Sequence, residues 1–140
     1  MALPVISPQG SSERIASDGD ATYVDVRTVA EFAAGRPKGR AVNIPIEFYH
    51  PKSGATHPNE AFLLVARHAL DTAGSLIIGA DEGERAAQAA GALLEAGFGR
   101  VELMLGGMPK WEAAGLKVTG DNRDGVSYAS LLTAARRAKD

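Results

Sequence analysis

Residues 74–97 read GSLIIGADEGERAAQAAGALLEAG, and the fold follows from how that stretch divides. Leu76, Ile77 and Ile78 form an unbroken apolar run between Gly74 and Gly79. So short a run, with two β-branched residues, suits a strand buried on both faces. Ala80-Asp81-Glu82-Gly83-Glu84-Arg85 is a charged loop with a glycine inside it. From about Glu84 to Ala96 alanine and leucine dominate, so a helix is expected there, closed by Gly97 as a left-handed cap. A strand, a tight loop and a helix N-terminus in succession build an anion site, because the unpaired N–H groups of the loop and first helical turn converge on one bowl. The centre of such a bowl belongs to the first loop residue, at the strand end. Here it is Ala80, whose methyl group cannot act as nucleophile, acid, base or metal ligand.

Working outward toward the N-terminus, Ser7-Pro8 is a helix start, a capping hydroxyl followed by proline at the first helical position. That helix is expected to reach about Ser17. Ala21 to Val26 (ATYVDV) reads as a strand, with Asp25 and Arg27 at its C-terminal end. Thr28-Val29-Ala30-Glu31 is a capping box, so a helix opens at Thr28 and runs to Gly35. Ala41 to Ile44 is a short strand stopped by Pro45. Glu47 to Pro58 is rich in turn formers and is expected to be irregular. Asn59 is expected to cap a helix reaching about Leu70.

Toward the C-terminus, Arg100 to Met104 reads as a strand, Leu105-Gly106-Gly107 as a tight turn, and Met108 to Ala114 as a short helix carrying Trp111. Leu116 to Gly120 is expected to leave the domain, so residues 1–120 form one unit and 121–140 a linker with a last helix. In that helix Tyr128, Leu131, Leu132 and Ala135 share a stripe. It is expected to pack back on the domain, the alternative being contact with a second copy. Helices alternating with strands predict an α/β fold, a single three-layer domain with a mainly parallel central sheet and helices on both faces. Ligands of such sheets sit beyond the carboxyl ends of the strands, which puts Asp25 to Arg27, Ala80 to Arg85 and Leu105 to Gly107 on one edge.

Composition narrows the function. The chain has 140 residues, enough for one domain that hides roughly two-thirds of its unfolded surface. With a net charge of −2, nothing points to nucleic acid or an acidic membrane as partner. No apolar run approaches the roughly 18 residues of a membrane span. The opening MALPVISPQG lacks the basic and apolar regions of a signal peptide, so a cytoplasmic location is expected. The chain holds no cysteine, which removes disulfides, thiolate metal sites and cysteine nucleophiles. His50, His57 and His68 show no metal spacing and are read as surface or loop residues. No cofactor or metal is expected.

Four blocks of the sequence, in order, resemble the rhodanese domain, the sulfurtransferase α/β family. Asp25-Val26-Arg27 with Glu31-Phe32 is similar to the family's DVR and EF block. Gly35 to Pro45 (GRPKGRAVNIP) is similar to its G-H-I-P-G-A-x-N-I-P segment. Leu76 to Arg85 resembles the strand and active-site loop, and Leu105-Gly106-Gly107-Met108 with Trp111 resembles the L-x-G-G-x-x-x-W block. The match covers roughly Ser7 to Thr119. The family loop reads C-R-S-G-N-R, its cysteine carrying a persulfide. Aligned on Gly83 and Arg85, the cysteine position is Ala80, the basic second residue is Asp81, and Glu82 and Glu84 replace neutral residues. The family's histidine before the I-P-G turn is Arg36 here.

The resemblance implies the fold, and the residues argue against the activity. Three carboxylates against one guanidinium oppose an incoming anionic sulfur donor, though they suit a helix start. The sequence therefore predicts a catalytically silent module for binding or regulation, with a residual anion-cradling loop. Its partner would be a small anion or a protein at the bowl, and the chain a monomer or homodimer. The alternative is a thiosulfate or persulfide sulfurtransferase whose native cysteine has been replaced by Ala80. The related phosphatases, with a loop one residue longer, fit less well. Around the bowl, Asp25 and Arg27 are read as supporting residues that pair with neighbouring loops, the alternative being that they orient a ligand. Arg85 either binds an anion or, as preferred, pairs with Glu82, Glu84 or another acid.

Overall fold

The computed structural model describes residues 3–80 and 84–139. The expected loop residues Asp81, Glu82 and Gly83 lie outside the described residues. In chain order the elements are β1 (Val5–Ile6), α1 (Pro8–Ser17), β2 (Ala21–Asp25), α2 (Val29–Ala34), β3 (Arg36–Pro37), β4 (Ala41–Asn43), β5 (Glu47–Tyr49), β6 (Thr56–Pro58), α3 (Phe62–Ala69), β7 (Ser75–Gly79), α4 (Arg85–Glu95), β8 (Arg100–Met104), α5 (Gly107–Ala113), β9 (Val118–Thr119) and α6 (Tyr128–Lys139). The central sheet runs β1-β8-β7-β2-β4, with every neighbouring pair parallel.

β7 lies in the middle of that sheet, and all five of its residues are buried. Its side chains alternate between two cores, as a strand's period of two requires. Leu76 and Ile78 enter one core with Phe62 and Val65 of α3, Ala89 and Leu93 of α4, and Tyr128 and Leu131 of α6. Ile77 enters the other with Ile15 of α1, Tyr23, and Met108 and Trp111 of α5. Helices thus cover both faces, giving the three layers read from the alternating pattern. α6 joins the first core, so its apolar stripe packs back on the domain.

Local signals placed several elements well. Ser7 Oγ accepts the Gly10 amide at 3.0 Å, with Pro8 just inside α1. Thr28 and Glu31 form the full capping box of α2. Three expectations need correction. Glu47 to Pro58 is not irregular: β5 and β6 pair as an antiparallel hairpin. Its strands are too short and mixed to show a period, and tertiary packing holds them, the Phe48 ring lying 6.0 Å from Tyr128 and 5.5 Å from His57. Asn59 is not the N-cap of α3. Its side chain donates to Pro45 O and Tyr128 Oη, its Oδ1 accepts the Ala61 amide, and the helix starts behind Ala61 without a side-chain cap. Leu116 to Gly120 does not simply leave the fold, because β9 pairs antiparallel with β3, Arg36 opposite Thr119. A two-residue ladder between segments so far apart leaves no local trace in the sequence.

Candidate functional site

Parallel strands bring the carboxyl ends of β2 and β7 side by side, with Asp25 in register with Gly79. The Val26 amide donates to Gly79 O at 3.1 Å, so the chain leaving β2 is tied to the end of β7. Ala80 follows at once and is 1% exposed, its methyl group part of the α3–α4–α6 core. Its carbonyl accepts the Met108 amide at 3.1 Å, which binds the first loop residue to the start of α5. The turn that makes this reach possible is Gly106-Gly107, with φ of 76° and 60° in succession, a path only glycine follows without strain. Behind the site, Gly79 faces Tyr23: a methyl group there would fall 1.7 Å from the Tyr23 Oη. Tyr23 is fully buried, and this close approach explains a glycine at the end of a central strand.

Asp25 and Arg27 meet each other. Arg27 Nε donates to both Asp25 carboxylate oxygens, at 3.0 and 3.1 Å, and Nη2 donates to Oδ2 at 2.7 Å. Arg27 Nη2 also donates to Gly35 O at 2.7 Å, so the pair ties β2 to the end of α2. Asn43 Nδ2 donates to the carbonyls of both Asp25 and Arg27, each at 3.0 Å. Both members are buried. Burial pushes the Asp25 carboxyl up, and the Arg27 guanidinium only partly offsets it.

Arg85 opens α4 and is held by Glu31 in a two-pronged pair, Nη1 to Oε1 at 2.8 Å and Nη2 to Oε2 at 3.1 Å. The same carboxylate accepts the Thr28 amide and hydroxyl, so one residue serves both the α2 cap and the arginine. The Arg85 hydrogen bond is the main cause that lowers the Glu31 carboxyl to about 2. In the sequence Glu31 stands as a capping residue of α2, and nothing local discloses its pairing with Arg85. Glu84 is exposed at the N-cap position of α4, and its side chain caps none of the first-turn amides. Arg27, Glu31, Ala34, Gly35, Met108, Pro109 and Glu112 line an open hollow of about 330 Å³ between α2 and α5. Glu112 escaped the sequence reading, and Met108 stood there only as part of the turn-and-tryptophan block, since nothing local marks which side of α5 lines this hollow.

His50, His57 and His68 are all exposed and lie outside this edge. Among the described residues no cluster of three or more His, Asp or Glu side chains is placed to hold a metal ion. No helix among them is long and apolar enough to cross a membrane.

The family model described as the rhodanese-like domain matches residues 9–114. Over 89 residues the chain is 38% identical to the senescence-associated protein DIN1 of Raphanus sativus, covering 64% of this chain and 47% of that protein. Over 111 residues it is 30% identical to thiosulfate sulfurtransferase 18 of Arabidopsis thaliana, covering 79% and 80%. Among solved structures it is similar to the polysulfide-sulfur transferase homodimer of Wolinella succinogenes, with a TM-score of 0.65 at 24% identity, covering 84% of this chain and 78% of that one. At that identity the likeness speaks for the fold. The matched stretch spans 47% to 60% of the first three curated relatives.

Proposed function

The chain belongs to the rhodanese-like domain family, and on that premise we propose that it is a catalytically silent member, a binding or regulatory module. One observation carries this reading: the residue at the end of β7, where the family places its persulfide-carrying cysteine, is Ala80, in a chain without cysteine. A persulfide needs a thiolate to form on, and no side chain here supplies one.

The rest of the edge supports a retained cradle. The first-turn amides of α4 receive no cap from Glu84. The α5 amide of Met108 holds the carbonyl of Ala80, and the buried Asp25–Arg27 pair stiffens the floor. We place a small anion or the side chain of a partner protein against those first-turn amides of α4, and not in the hollow between α2 and α5, whose wall carries the carboxylates of Glu31 and Glu112. Arg85 is already engaged with Glu31 and contributes to the shape of this edge more than to its charge.

The same preserved scaffold favours a second reading, a sulfurtransferase whose native cysteine is replaced by Ala80; one relative is itself named a thiosulfate sulfurtransferase. The test is direct: the chain is incubated with thiosulfate and cyanide, and thiocyanate is measured. The silent-module reading expects no rate above buffer. A rate well above it would end that reading.

A further inference from the structure

Arg36 stands apart from the other arginines of this fold. It is 4% exposed, yet no carboxylate among the described residues lies within ion-pairing distance of its guanidinium. Its Nη1 donates to Pro37 O and Gly39 O, both at 2.8 Å, and its guanidinium carbon sits 5.5 Å from the centre of the Phe32 ring. The other edge of the fork, Nε with Nη2, is the edge that grips oxyanions side-on. In Arg27 that edge is filled by the Asp25 carboxylate. In Arg36 the Nε is buried without an acceptor, and Nη2 has only a long 3.4 Å contact with Asp121 O.

Arg36 lines a pocket of about 410 Å³ between the edge strand β4 and the 119–126 segment. Lys38, Arg40 and Arg123 also line it, against the single carboxylate of Asp121. That carboxylate accepts Arg123 Nε at 2.8 Å and so is already committed. Four cations line the cavity, Arg123 paired with that Asp121 and Arg40 donating to Asp18 O and Ala21 O, and the excess of positive charge contrasts with a whole chain of net charge −2. The backbone adds a donor. The Asn43 amide faces out of the sheet to Val126 O, while Ile44 faces in to Asp25 O. The alternation of a strand then turns the Ala41 amide outward, on the side of the pocket it lines. Ala41 stands opposite Tyr23, two residues before the Asp25–Gly79 level where Ala80 begins, so this pocket is separate from the bowl.

We propose that this pocket is a second anion site, built to take a multiply charged oxyanion of the phosphate class among Arg36, Lys38 and Arg123. The charge of the lining asks for more than one negative charge on the ligand. The volume falls within the range of about 300–1,000 Å³ typical of small-molecule sites, so it admits a phosphate together with the group that carries it, as in a phosphate ester. A bound oxyanion restores to Arg36 the counter-ion that burial otherwise denies it. The site stands whether or not the silent-module reading of Ala80 holds.

Pyrophosphate is the probe, titrated calorimetrically into the full chain at fixed ionic strength. A saturable site is expected in addition to any binding at the bowl, and it should persist in Arg85→Gln. Arg36→Met should weaken it at least tenfold. Because Arg36 also holds two loop carbonyls, a double variant of the exposed positions, Lys38→Gln with Arg123→Gln, keeps the test decisive if Arg36→Met fails to fold. It should weaken binding about five- to tenfold, whereas Arg85→Gln, at the bowl, should leave it unchanged. No saturable binding, binding indifferent to the double variant, or binding lost in Arg85→Gln would each overturn the proposal.

Discussion

Asp25 and Arg27 show how much one buried pair carries. Arg27→Leu would leave the Asp25 carboxylate buried beside the carbonyls that Asn43 already satisfies, so we expect a loss of about 3–5 kcal/mol at neutral pH in urea unfolding. The sign with pH follows from Asp25. Its folded pKa is raised, so the fold holds that proton more tightly than the unfolded chain does. Without Arg27, whose hydrogen bond and charge lower it, the Asp25 carboxyl is raised further, so the defect of Arg27→Leu should shrink as pH falls and the variant's Asp25 takes up its proton before the parent's does. Glu31 behaves in the opposite sense. Its carboxyl is lowered from 4.5 to about 2, so its contribution is complete above about pH 4.5 and is lost as pH falls toward 2. Comparing Glu31→Gln with the parent across that window should show a difference of about 1 kcal/mol above pH 5, discounted for solvent screening, that fades below it. A difference that grows on acidification would sink this account of Glu31.

At the scale of elements, β7 and its neighbours were readable because an apolar run, two glycines and an alanine-rich helix all agree. Gly79→Ala tests how tightly the strand and its partner β2 are built. The new methyl would fall on Tyr23, which is fully buried with its ring 6.4 Å from that of Trp111. We expect a loss of about 1–3 kcal/mol by overpacking, seen as a lower denaturant midpoint; an unchanged midpoint would mean that Tyr23 can swing aside. The elements that escaped the sequence share one cause. β1, β3, β5, β6 and β9 are two or three residues long and exist through partners. Asn59 carried a capping signal that tertiary hydrogen bonds consumed instead. At the site, the capping box disclosed Glu31 but not its grip on Arg85, since 54 residues separate the two.

Across the whole molecule, the two cores on either side of one parallel sheet explain why the C-terminal helix matters. α6 delivers Tyr128, Leu131 and Ala135 to the same core that holds Ala80. Tyr128 also exchanges hydrogen bonds with Asn59, at 3.0 and 3.2 Å. A chain ending at Gly125 should lose at least about 3 kcal/mol and bind a hydrophobic dye, because α3 would be uncovered. Unchanged stability would mark α6 as an appendage. The sequence read the helix and its stripe correctly; which surface it covers depends on the closed fold, where α3 presents its apolar face to it.

The central claim concerns one methyl group, and Ala80→Cys tests it. The parent and the variant are each exposed to thiosulfate, weighed for a persulfide gain of about 32 Da, and assayed for transfer to cyanide. The account predicts no gain and no transfer in the parent, and a persulfide in the folded variant, since a thiol then stands at the end of β7. A parent chain that transfers sulfur, with Ala80 in place, would contradict it.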